Sequence, residues 1–140
     1  MQHAAVRGLV EIAAVTAGEV CLLDLEASLE HFAQSKALNA DTMLVVVEPT
    51  FKSLETGRRM IGLARQLDPE RLLLVANKVR DAGGRDAVNR LAAEQGVEVG
   101  GAVPHDGRLL EADQDGSALL DFDPKAPAVA AIDALADALL

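Results

Sequence analysis

Three short apolar runs constrain this chain more than anything else in it: Val20–Leu25 (VCLLDL), Thr42–Val47 (TMLVVV) and Leu72–Ala76 (LLLVA). Each is nearly continuous in Val and Leu instead of alternating, so a strand made from it is buried on both faces. Helices laid on both sides of a sheet produce that burial. The segments between the runs have helical spacing. Residues 3 to 17 align Val6, Leu9, Val10, Ala13 and Ala17, and Gly18 ends them. Ser28 can cap a helix from Leu29 to Leu38 with Leu29, Phe32 and Leu38 inward. After Glu48-Pro49, Thr50 or Ser53 can cap a helix that buries Leu54, Gly57, Ile61, Ala64 and Leu67. Glu55 and Arg59 are expected to pair on its wet side. Val88, Leu91 and Ala92 mark another helix, stopped by Gly96, and a weaker strand, Val97–Val103, is interrupted by Gly100-Gly101. A short helix near Arg108–Ala112 is capped by Asp106. Asp123-Pro124 then opens a last helix with Val129, Ile132, Leu135, Ala136 and Leu139 at core spacing. The pattern predicts one α/β domain over residues 1–140, a three-layer sandwich around a mainly parallel sheet.

Composition excludes several partners. The formal charge of −9 opposes a phosphate-backbone ligand, and Phe32, Phe51 and Phe122 are the only aromatic residues. No nucleic-acid role is expected. Cys21 is the only cysteine and lies in an apolar run, so a buried thiol in a reducing compartment is expected. No stretch is long and apolar enough for a membrane span, and no signal pattern opens the chain, so the expected location is the cytoplasm.

In open parallel sheets, ligands bind beyond the carboxyl ends of the strands. Those ends carry Asp24 with Glu26, Glu48 with Thr50, Asn77 with Lys78, and Pro104 with His105 and Asp106. Two readings of Val20–His31 stand. It is a strand delivering the Asp24 carboxylate toward a phosphate-sensing turn, or a core strand whose last polar residues cap a helix. A phosphate loop is not found: glycine is nowhere followed by lysine, and no GxGxxG occurs. Gly57 and Gly62 have the loop's spacing but lie in a helical segment. His3, His31 and His105 show no metal-ligand spacing. His105-Asp106 reads first as a helix-capping turn.

Asn77-Lys78-Val79-Arg80 is similar to the base-reading NKxD segment of G-proteins, with Arg80 where the guanine-reading aspartate would be. Two readings stand: a base site, for which adenine is the better fit, or a solvated strand end bearing Lys78 and Arg80. The order DLEASLEH, LVVVEPTFKSLETGRRM, LLLVANKVR and VPHDGRLLEAD resembles the MinD/ParA-like P-loop ATPases, and within them the CooC-type accessory ATPases that assist nickel insertion into carbon monoxide dehydrogenase. The likeness runs from about residue 5 to the end and corresponds to the C-terminal half of such an ATPase. The phosphate loop, first switch and metal-binding Cys-x-Cys pair belong to the other half.

The resemblance implies ATP and Mg2+ as cofactors. Asp24 would be the acid that meets magnesium through water, and Glu26 to Glu30 the switch after it. Ser28 stands where the family usually has glycine, which restricts that turn. Asn77 would lie against adenine, with Pro104, His105 and Asp106 on the other side and Lys78 at the rim. Glu48-Pro49 would match a structural turn. The family's phosphate-loop strand separates the strands matching Val20–Leu25 and Thr42–Val47, so a second copy or a complementing N-terminal half is the expected partner, and a client metalloenzyme the expected target. By itself the chain is expected to be inactive as an ATPase. The alternative is a non-catalytic dimerisation or interaction module with a degenerate pocket. A third reading, a receiver-like phosphoacceptor using Asp24 and Lys78, lacks the acidic pair such proteins carry on an earlier strand.

Overall fold

The computed structural model describes residues 20–24 and 40–140. The expected helices over 3–17 and 29–38, and Glu26, lie outside the described residues. Within them, strand β1 (Thr42–Val47) leads to helix α1 (Phe51–Ala64), a 3-10 turn (Arg65–Leu67) and strand β2 (Arg71–Val79). Helix α2 (Ala82–Gln95) and strand β3 (Glu98–Pro104) follow, then helices α3 (Arg108–Asp115), α4 (Leu119–Phe122) and α5 (Pro127–Leu139). The three strands are parallel in the order β1-β2-β3.

Local signals account for most of these boundaries. Thr50 caps α1 by accepting from Ser53 N, and Asp81 caps α2 by accepting from Gly84 N at 2.8 Å. Gly96 ends α2 in the left-handed conformation, which costs glycine no Cβ clash. The fully buried Ile61, Leu74, Val47 and Val88 form the centre of the core. Val45, Ala76, Leu91 and Ala92 complete it, placing α1 and α2 on one face of the sheet. A Cβ on Gly57 would lie 2.4 Å from Val47 Cγ1, so only glycine lets the α1 backbone settle onto β1. Leu73 and Val75 point to the other face, where α5 covers β3 and Leu135 packs over Gly101. Helices on both faces make three layers, and the α/β reading holds.

The β2–β3 ladder contains two irregularities that cancel. Leu74 pairs with Val99, but Val75 pairs with Gly101, so Gly100 is surplus on β3. Ala76 pairs with Ala102, but Val79 pairs with Pro104, so β2 carries the surplus residue at Asn77-Lys78. The strands leave in the register in which they entered.

Several expectations need correction. Val20–Asp24 is not a strand, although it was expected to begin the first one. An apolar run becomes a strand only by sharing a hydrogen-bond ladder, and none of the three described strands pairs with this segment. Val20 and Leu22 are consequently 72% and 87% exposed, and Cys21 is exposed instead of buried. The last helix begins at Pro127, not at Asp123-Pro124, and Ile132 and Ala136 face solvent. Arg59 does not pair with Glu55. Arg58 does, and also donates to Glu94 of α2 at 2.7 Å. The short helix runs to Asp115, and the strands end at Val79 and Pro104, beyond the expected Ala76 and Val103.

Candidate functional site

The carboxyl ends of β1, β2 and β3 form one rim, and one of the two non-glycine residues with positive φ among the described residues, Lys78, lies there. β1 ends in Glu48-Pro49, where the Glu48 N–H donates to Ser53 Oγ at 2.9 Å and the Thr50 N–H donates to the Glu48 carbonyl at 2.8 Å. At the β2 surplus, Lys78 has φ +54°, a left-handed conformation that an L-residue with a long side chain adopts at a cost. Two contacts hold it there. Its backbone N–H donates to Asn77 Oδ1 at 2.9 Å, and its Nζ lies 2.6 Å from Glu48 Oε1, tying the ends of β1 and β2 together. Both charged side chains are about half exposed, so the pair adds under about 1 kcal/mol to stability and chiefly fixes direction. Because the Asn77 carbonyl oxygen is engaged, its NH2 group remains as the donor this residue can present to a ligand.

Across the ladder the His105 N–H donates to the Val79 carbonyl at 2.9 Å, setting the Pro104-His105 turn beside the Asn77-Lys78 surplus. His105 is exposed. Asp106 is half-buried and uses both carboxylate oxygens: Oδ1 accepts from Arg108 N at 2.9 Å and Oδ2 from Ala128 N at 3.1 Å. Neither Gly107 nor Ala126, the cap residues of α3 and α5, supplies a side-chain acceptor, and Asp106 fills that role for both helices. The sequence showed the first of these caps but not the second, which spans twenty-two residues.

Arg108 was not anticipated as part of this region. Its Nε donates to Asp123 Oδ2 at 3.0 Å, an N–H of its guanidinium meets Glu111, and the group lies 4.7 Å from the Phe122 ring centroid. The hydrogen bond to Asp123 holds its pKa above the ordinary range, as the bond to Glu94 does for Arg58.

The structure therefore brings together Glu48, Asn77 and Lys78, and sets Pro104, His105 and Asp106 beside them. It does not join Asp24 to them. Asp24 is exposed at the end of the unpaired segment, with no ion pair among the described residues. A shallow depression of about 240 Å3, lined in part by Arg65, Asp68, Glu70 and Val97, lies at the opposite end of the strands, away from the usual ligand position.

An open rim with a free carboxamide donor and an exposed imidazole suits the base side of a nucleotide. The triphosphate side is not matched. Glycine nowhere precedes lysine in the chain, and Lys78 is already paired with a carboxylate.

No family model matches the chain. Among curated proteins it is 39% identical over 108 residues to an uncharacterized ATP-binding protein of Methanocaldococcus jannaschii, covering 77% of this chain and 42% of the relative. It is 32% identical over 123 residues to the carbon monoxide dehydrogenase accessory protein CooC of Rhodospirillum rubrum, covering 88% of this chain and 46% of CooC. The chain thus spans less than half the length of either. Among solved structures, the MinD cell division protein of Aquifex aeolicus superposes with a TM-score of 0.60 at 28% identity, over 71% of this chain and 44% of MinD. MinD of Pyrococcus horikoshii, determined in complex with Mg-ADP, has the same fold at a TM-score of 0.61 and 19% identity, over 95% of this chain and 56% of that one.

Proposed function

We infer, for a chain that resembles the C-terminal half of a MinD/ParA-like ATPase of the CooC kind, that it forms the adenine side of an ATP site whose phosphate side lies in other sequence. The observation that carries this reading is the rim. A carboxamide on the β2 surplus and the Pro104-His105 turn sit side by side beyond parallel strands, in a chain whose relatives are ATP-binding proteins.

In this reading Asn77 donates to a ring nitrogen of adenine, Pro104 and His105 line the base, and Lys78 stays at the rim. Asp24 is the acid of the catalytic half-site, and Glu26 belongs to the switch after it. Asp24 is an oxygen donor of the kind magnesium takes through water. Magnesium, when bound, neutralises charge on the phosphates. Residues 1–140 act as one domain. It is completed by a second copy or by an N-terminal half carrying a phosphate loop, and without that loop it hydrolyses no ATP. The work served is nickel insertion into a client metalloenzyme of the cytoplasm, a role supported by the likeness to CooC.

Titrating the chain with ATP and magnesium, alone and with a phosphate-loop half added, tests the reading. Saturable binding that tightens when the loop is supplied supports it. No binding at millimolar nucleotide in either arrangement overturns it. A non-catalytic interaction module is then the better reading. One observation favours that alternative: β1 has a single ladder partner among the described strands, and its Val46 side chain is 58% exposed.

A further inference from the structure

We propose that Asp106 is a positioning residue rather than a nucleotide contact. One carboxylate clasps two helix N-termini and thereby fixes the Pro104-His105 wall of the rim. The inference rests on the adenine-side reading above and changes the role of one residue within it.

Each carboxylate oxygen accepts a backbone hydrogen bond, one from Arg108 N at 2.9 Å and the other from Ala128 N at 3.1 Å. An aspartate turned inward onto two backbone N–H groups has no oxygen committed outward to a base. Its partners are the first-turn amides of α3 and α5, the groups left unpaired by the helices themselves, and the positive ends of two helix dipoles favour the negative charge. The adjoining turn is thus held from two directions. On the strand side the His105 N–H is bonded to the Val79 carbonyl, and on the helix side Asp106 is bonded to α3 and α5. Arg108 reinforces the helix side through Asp123. If Asp106 let go, α5 and α3 would lose their shared anchor and the Pro104-His105 turn would be held from the strand side alone, although no ligand contact had been removed.

The test uses the full 140-residue chain and NMR. In Asp106→Ala, amide exchange at Arg108 and Ala128 is expected to rise about tenfold at both sites, as for a lost charge-assisted hydrogen bond. The His105 ring resonances, assigned through His105→Gln, shift at the same time. In Asp106→Asn a single carbonyl oxygen remains. One of the two amides should then stay protected, and the His105 resonances should return most of the way. Parent exchange rates at both amides in the alanine variant overturn the proposal, as do unmoved His105 resonances. If the alanine variant does not fold, the asparagine variant decides, because unequal protection of the two amides is expected only from a shared clasp and equal protection refutes it.

Binding supplies the complementary reading. Asp106→Asn should weaken ATP and inosine triphosphate by the same factor, whereas a changed ratio makes Asp106 a base contact and overturns the proposal. If neither nucleotide binds, with or without the phosphate-loop half added, the adenine-side reading is refuted, while the exchange rates and His105 signals still decide the clasp.

Discussion

The two flanks of the sheet are finished differently. On the β3 flank, α5 covers the strand and Leu135 packs over Gly101. The terminal turn is held by Val79 on one side and Asp106 on the other. On the β1 flank, α1 seals one face through the Gly57–Val47 approach, while Val46 on the other face is 58% exposed and β1 has one described ladder neighbour. The apolar segment Val20–Asp24 pairs with none of the three described strands. The contrast teaches that burial on both faces, written into all three apolar runs, is achieved by this chain only where helix and neighbouring strand are both present.

Substitutions can break or sharpen that contrast. The largest effect is expected where both flanks share a core: Leu74→Ala, at a fully buried position, should lower stability by about 3 kcal/mol in a urea titration. A loss under about 1 kcal/mol would mean the core is not common to the two sides. Next, Gly57→Val should cost about 2 kcal/mol by wedging α1 off β1, with amide exchange rising in β1 before β3. Reversed order would show the β3 flank to be the weaker. Third, Lys78→Met should change stability by less than about 1 kcal/mol, because the Glu48 partner is half exposed and the pair is screened. A larger loss would show that the ends of β1 and β2 are clamped more firmly than this pair explains. The smallest effect is predicted at Val46→Ser, within about 0.5 kcal/mol for the isolated chain. If the same substitution abolishes association with a second copy or a phosphate-loop half, measured by solution mass, the open flank is where that partner docks.

The sheet and its covering were legible because they depend on local patterns. LLLVA is buried on both faces as its pattern requires, whereas TMLVVV is buried on one face and leaves Val46 exposed on the other, and Thr50, Gly57 and Gly96 announce their helix positions through cap and packing chemistry. Contacts between residues distant in sequence were not. Arg58 was passed over because its second partner, Glu94, belongs to another helix. Asp123-Pro124 looked like a helix start, yet Asp123 accepts from Arg108 Nε and Lys125 N, and α5 begins at the next proline. At the rim, spacing identified Asn77, Lys78, Pro104, His105 and Asp106 as neighbours. It could not reveal that Lys78 would be left-handed, or that Asp106 would turn inward to serve two helices. Val20–Asp24 shows the limit of pattern: its composition favours a strand, but strandhood belongs to a pair, and none of the described strands pairs with it.

The compensated surplus residues tie an interior position to the rim. Because Gly100 advances β3 by one and Asn77-Lys78 advances β2 by one, neither can be deleted by itself without moving every later partner out of step. Loss of Gly100 alone would slide Pro104 and His105 past Val79 and unseat the outer wall. Loss of one residue from each strand together would restore alignment while erasing the left-handed corner that carries Lys78. Length changes in this sheet should therefore be tolerated only in matched pairs, and a chain altered that way would keep its architecture while losing the shape of the edge beyond its strands' carboxyl ends.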